Sequence, residues 1–166
     1  NMWILLISKL LLAIVAMIAG YIRNRRLQKK IDAGGLESFT EVKEEEAEFL
    51  ICPGGMPGAK NLGDCTALVQ RIQKHFDKGG YVAAICAAPA LVLSKIKMNK
   101  RYTMTCYPGF EEYLPEAEMQ PHGVVVDGNV ITGKGPAYAF KFGLAILEQL
   151  TSKKVAEEVV AGMLLD

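Results

Sequence analysis

Tyr81-Val82-Ala83-Ala84-Ile85-Cys86-Ala87-Ala88-Pro89-Ala90 is the stretch that decides how this chain folds. Its first half is a run of small and β-branched residues without polar alternation, the pattern of a strand buried on both faces in a parallel sheet. That run leads straight into Cys86. Pro89 then falls in the first turn of a predicted helix, Ala87 to Ser94, where the N–H that proline lacks would have no intrahelical partner. A side chain at such a strand-to-helix corner sits at the positive end of a helix dipole, where a thiol loses its proton most easily. Cys86 is therefore the candidate nucleophile.

Upstream, Phe49-Leu50-Ile51-Cys52 reads as another buried strand and runs into Pro53-Gly54-Gly55-Met56-Pro57-Gly58-Ala59. A glycine pair directly after a buried strand lets backbone N–H groups crowd close to a neighbouring site. Alone, such a stretch is equally the composition of a turn. Asn61 to Lys78 has helical period, with Leu62, Leu68, Val69, Ile72 and Phe76 on one side and Gly79-Gly80 marking its end.

Downstream, Arg101 to Cys106 predicts a strand ending in Tyr107-Pro108-Gly109-Phe110. Val124-Val125-Val126 and Val130-Ile131-Thr132 flank Asp127-Gly128, a strong hairpin signal. Gly133-Lys134-Gly135-Pro136 turns the chain into a helix predicted over Ala137 to Leu150. A last helix, about Lys153 to Met163, carries Val155, Val159 and Met163 on one side. Strands alternating with helices imply an α/β domain with a largely parallel sheet.

At 166 residues the chain is one domain plus something small, and 51% of it is hydrophobic. The net charge of +1 gives no global signal for nucleic acid. The four cysteines, Cys52, Cys65, Cys86 and Cys106, lie 13, 21 and 20 residues apart, and His75 and His122 sit near no ligand cluster. No zinc spacing results, and neither a metal nor a cofactor is expected. Cysteines inside apolar strands suit a reducing compartment better than a disulfide scaffold.

The hydrophobic excess is concentrated in Trp3 to Ile22, where Lys9 is the only charge. Twenty residues at about 1.5 Å each span the roughly 30 Å of a bilayer's hydrocarbon core. Trp3 and Tyr21 stand at the two ends, and five cations follow between Arg23 and Lys30. This predicts a single transmembrane helix in residues 1–30, with residues 31–166 on the cytoplasmic or matrix side, in the mitochondrial inner membrane among other candidates. The alternative is a buried soluble element, with Trp3 to Ser8 as a core strand and Lys9 to Lys30 as a helix. Ile31 to Glu48 is polar and acidic, and reads as a solvated turn or short helix.

Four blocks resemble the ThiJ/PfpI family, which includes the parkinsonism-associated deglycase. They are LICPGGMPGAKNL, YVAAICAAPALVL, TCYPGFEEYL and VVVDGNVITGKGPAYAFKFGLAILEQL, in the family's order and spacing across residues 31–166. The resemblance implies a flavodoxin-like three-layer α/β sandwich. It also implies that Cys86 is the family's reactive cysteine, that Gly54 and Gly55 are the glycines beside its sulfur, and that Gly135-Pro136 closes the pocket. Glyoxalase or deglycase chemistry on reactive carbonyls and oxidative-stress sensing follow by the same resemblance.

Three departures qualify it. The family opens with a strand and helix that carry a glutamate bonded to the cysteine, whereas residues 1–30 here contain no acidic residue. Tyr107 stands where several members have histidine, and tyrosine cannot do histidine's proton work near neutrality. Lys134 replaces an arginine, keeping the charge without the planar fork. The missing strand would leave open backbone edges, to be filled by Trp3 to Ser8 or by another chain, or within a larger complex. The main expectation is thus a membrane-anchored, non-catalytic accessory subunit, in contact with lipid through residues 3–22 and with other subunits of a membrane assembly. The alternative is a Cys86-dependent glyoxalase or deglycase acting on a small carbonyl substrate.

Overall fold

The computed structural model describes residues 47–163. The predicted membrane helix, its basic flank and most of the acidic stretch lie outside them. Among the described residues, no helix is long and apolar enough to cross a membrane.

The core is a four-stranded sheet. Strands β1 (Phe49–Cys52), β2 (Tyr81–Ile85) and β6 (Val130–Gly133) run parallel, and β5 (Val124–Asp127) pairs antiparallel with β6, in the order β1-β2-β6-β5. Val82, Ala83 and Ala84 are completely buried, as the absence of polar alternation in 81–85 requires. Side chains alternate between the two sheet faces. Val82, Ala84 and Val130 join the larger core with Ile72, Phe76, Leu93 and Met104, while Ala83 and Ile131 pack with Phe142 and Ile146 on the other side. The result is three layers, with α1 (Gly58–Asp64), α2 (Thr66–Asp77) and α3 (Ala88–Leu91) on one face and α4 (Ala139–Leu150) on the other. The last helix, α5 (Lys153–Gly162), is capped by the Ser152 hydroxyl, which accepts from the Val155 N–H at 3.3 Å. It packs on α4 through Ala156 and Val159, with Met163 alongside.

Strand β2 is flanked by β1 and β6, so the strand leading to the cysteine is paired on both sides. The open position lies one strand further out. Among the described residues the sheet ends at β1, where Ile51 is 42% exposed.

Four expectations are corrected. The helix predicted over Asn61 to Lys78 starts at Gly58 and is broken at Cys65, whose extended ψ of 96° ends α1 and opens α2. The helix predicted over Ala87 to Ser94 is only Ala88–Leu91, followed by a 3₁₀ turn at Leu93–Lys95. Here close packing overrides propensity, because a Cβ on Gly63 would overlap the Leu91 carbonyl, and the chain then bends so that Val92 and Leu93 are both buried. The hairpin loop is Gly128-Asn129, one residue later than the Asp-Gly signal suggests. Asp127 pairs with Val130, and Gly128 takes φ +58° as the first loop residue. Of Arg101 to Cys106 only β3 (Thr103–Met104) is a strand, and it pairs with β4 (Glu118–Met119) in a separate small sheet.

Candidate active site around Cys86

The site forms where β1 and β2 end. Cys86 follows Ile85 with φ +65°, alone among non-glycine described residues in that region. A left-handed residue costs roughly 1–2 kcal/mol in an L-amino acid, so the surrounding structure must hold it there. Backbone bonds on both sides do so: the Cys86 N–H donates to Gly133 O at 2.8 Å, and the Tyr107 N–H donates to Cys86 O at 2.9 Å. The turn throws the side chain out of the sheet, and Cys86 is half-buried although the strand before it is sealed.

Gly54 is the second wall. A Cβ built there would lie 2.5 Å from Cys86 Cβ, 2.6 Å from Ile85 O and 3.4 Å from the sulfur, so only glycine lets the two loops meet. Gly55 takes φ +92°, and a Cβ built on it would meet open space. Gly54 is thus packed directly against Cys86. Tyr107 joins the site through its backbone. Its ring is 46% exposed and stands 3.5 Å from where a Cβ on Gly135 would lie, which sets the Gly135-Pro136 turn beside Tyr107. The Lys134 ammonium donates to Pro121 O at 3.3 Å.

The helix after the cysteine has one turn, so the dipole expected from an eight-residue helix is much reduced.

Sequence reasoning missed two neighbours. Cys106 is buried beside the site, its Sγ donating weakly to Tyr107 O at 3.5 Å. Burial above all, then the charges of Glu111 and Cys86, push its thiol up to about 11, with Lys134 opposing. Glu111, whose carboxylate accepts from the Gly109 N–H at 2.7 Å, is the second. The only signal was their place in the TCYPGFEE block around Tyr107. Cys52, at the end of β1, is pushed by burial to about 12. All four cysteines are free.

Residues 28–149 match the DJ-1/PfpI family. The chain belongs to that family. It is 33% identical over 130 residues to the protein dj-1beta of Drosophila melanogaster, covering 77% of this chain and 69% of the fly protein. It is also 32% identical over 115 residues to the glutathione-independent glyoxalase DJR-1.2 of Caenorhabditis elegans, covering 68% of this chain and 60% of the worm protein. The crystal structure of Drosophila DJ-1beta superposes with a TM-score of 0.70 at 32% identity, over 76% of this chain and 69% of that one. The fold is accordingly the flavodoxin-like α/β fold of DJ-1, with a mostly parallel sheet. The family match starts inside the basic flank and stops before α5.

Proposed function

We propose that Cys86 is the nucleophile of a glyoxalase-type reaction on small reactive carbonyl compounds. The carrying observation is the corner itself: a cysteine held at φ +65°, pressed against Gly54 and left half-exposed at the end of the buried strand β2. No packing role needs that strain, and presenting a sulfur to a ligand does. The glyoxalase among the relatives supports the same reading.

The chemistry balances without a redox partner. The Cys86 thiolate adds to the aldehyde carbon of a 1,2-dicarbonyl, and the carbonyl oxygen takes a proton from solvent, giving a hemithioacetal. A proton then leaves that carbon and another is delivered to the neighbouring one, which yields a thioester of a 2-hydroxy acid. Water cleaves the thioester and returns the thiol. A positioned acid/base contributes typically about 10²–10⁴ to such proton transfers. Residues 1–30 contain no carboxylate that could supply one.

The test is methylglyoxal consumption by the full chain, with 2-hydroxy acid as product. Activity lost in Cys86→Ser supports the assignment, and equal rates for the two proteins overturn it.

A second reading is a membrane-anchored accessory subunit held by residues 3–22, with the exposed edge of β1 covered by a further strand. The apolar run Trp3 to Ile22 and the 42% exposure of Ile51 favour it. Release of the full chain from membranes by carbonate at high pH would rule out the anchor. Anchoring and carbonyl chemistry are compatible, and the two experiments are independent.

A further inference from the structure

A second concavity, of about 770 Å³, lies between Leu93–Tyr102 and Tyr113–Ala117, and neither Cys86 nor Gly54 lines it. That volume falls within the roughly 300–1,000 Å³ of small-molecule sites. Its floor is apolar and already packed, from Leu93, Ile96, Met104 and Leu114, all buried, with half-buried Met98 beside them. Its rim is charged asymmetrically, with Lys97, Lys100 and Arg101 on one side and Glu116 on the other.

The three cations are not equivalent. Lys100 is committed, its ammonium 2.6 Å from Asp127 Oδ1 and 4.5 Å from the centre of the Tyr102 ring. Lys97 and Arg101 are exposed and have no carboxylate partner among the described residues. Their backbone is nevertheless held. The Gln73 side-chain amide bonds Lys97 twice, accepting from its N–H at 2.6 Å and donating to its carbonyl at 3.1 Å. The buried Tyr102 hydroxyl is within 3.1 Å of both the Asn99 and the Asn129 side-chain carbonyls. A fixed rim with two uncompensated cations above an apolar floor lowers the ordering cost of binding one kind of molecule.

We infer that this cavity binds an amphipathic organic anion, with a carboxylate or phosphate head on Lys97 and Arg101 and an aliphatic body over half-buried Met98 and the exposed Tyr113 and Pro115. The Arg101 fork suits either head bidentately, and Glu116 keeps the head on the lysine–arginine side. The site is separate from the cysteine chemistry and does not depend on it.

Three probes of equal chain length test the assignment on the full protein: octanoate, octyl phosphate and octanol. Calorimetry measures affinity, and methionine-methyl NMR reports place, since Met98 and Met104 line the cavity while Met56 and Met163 do not. Saturable binding of either anion, with shifts confined to Met98 and Met104, supports the site, and the tighter of the two identifies the head. Combined Lys97→Ala and Arg101→Ala should weaken that anion about ten-fold or more. Arg101→Lys should recover part of the loss, and Cys86→Ser should leave the anion's affinity unchanged. Octanol binding as tightly as the anions, shifts absent from Met98 and Met104, or an unchanged affinity in the double variant would overturn the proposal. Lys97 and Arg101 are exposed, and circular dichroism checks the fold of every variant.

Discussion

Cys86 and Cys106 lie on two consecutive strand-to-loop exits, joined by the Tyr107 N–H to Cys86 carbonyl bond, yet they are opposite kinds of thiol. Cys106 continues the line of β3 into the core, is 2% exposed and is pushed by burial to about 11. Cys86 leaves β2 through a left-handed turn and so escapes the layer that seals Ala83 and Ala84. One backbone torsion, stabilised by a glycine opposite, thus turns a core thiol into a presented one. Helix dipole strength, which the sequence pattern emphasised, matters less here, because the helix after Cys86 is a single turn.

Alkylation breaks or confirms that contrast with the largest effect. At pH 7.5 a thiol at about 11 is ionised some 300-fold less than an ordinary cysteine near about 8.5, before burial slows access further. Iodoacetamide followed by peptide mass spectrometry should therefore mark Cys86 first and leave Cys106 intact. Labelling of Cys106 should rise about ten-fold per pH unit as long as the fold persists. Comparable rates for the two cysteines at pH 7.5 would erase the distinction.

Gly54→Ala sharpens it next. The added methyl would meet Cys86 Cβ and the Ile85 carbonyl, neither of which is a flexible chain end. Overpacking of this kind costs about 1–3 kcal/mol, and here it falls on the corner. The melting temperature should drop, and alkylation of Cys86 should change while that of Cys106 does not. A variant identical to wild type in both respects would mean that Gly54 is only a turn residue.

The same corner explains how far the sequence could be read. Strand 81–85, Cys86 and the 124–132 hairpin were legible because each is set by local chemistry: a run with no polar side chain, a proline in the following turn, and a glycine between two valine-rich arms. The break at Cys65 was not, because Leu62 and Leu68 keep helical period across it and only tertiary packing of Gly63 on Leu91 fixes the end of α1. Strand β4 was invisible too. Glu118-Met119 has no strand signal, and it pairs because the Glu118 N–H reaches Tyr102 O and the Gln120 N–H reaches Met104 O, both at 2.8 Å. Cys106 was overlooked as a site neighbour because nothing in TCYPGF says that its chain crosses the Cys86 carbonyl.

Cys86→Gly should give a smaller effect of opposite sign. Glycine adopts φ +65° freely, so releasing the strain is expected to stabilise the fold by roughly 1 kcal/mol, while removing all Cys86 chemistry. A gain in melting temperature with loss of alkylation would show that stability was traded for presentation of the sulfur. A loss of stability would show that the side chain contributes more by packing than its torsion costs.

The smallest effect belongs to a carboxylate bonded to neither thiol, which makes it a control on the whole comparison. Asp127 closes the 124–133 hairpin and ties it to β3, accepting from Lys100 at 2.6 Å and from the Thr103 N–H at 2.9 Å. The Lys100 bond first, then the Thr103 N–H, hold its carboxyl below the usual range. A depressed carboxylate contributes stability that is present above its unfolded value near about 4 and is lost as pH falls through the lower folded value. Thermal melts of wild type should therefore weaken on acidification below about pH 4 more than those of Asp127→Asn, which starts lower at pH 7 and has less to lose. The pair is exposed, so the difference should be modest and shrink in high salt. Cys86 alkylation should be the same in both proteins at pH 7.5; a change there would mean that the corner is held through β3 as well as by Gly54 and Gly133.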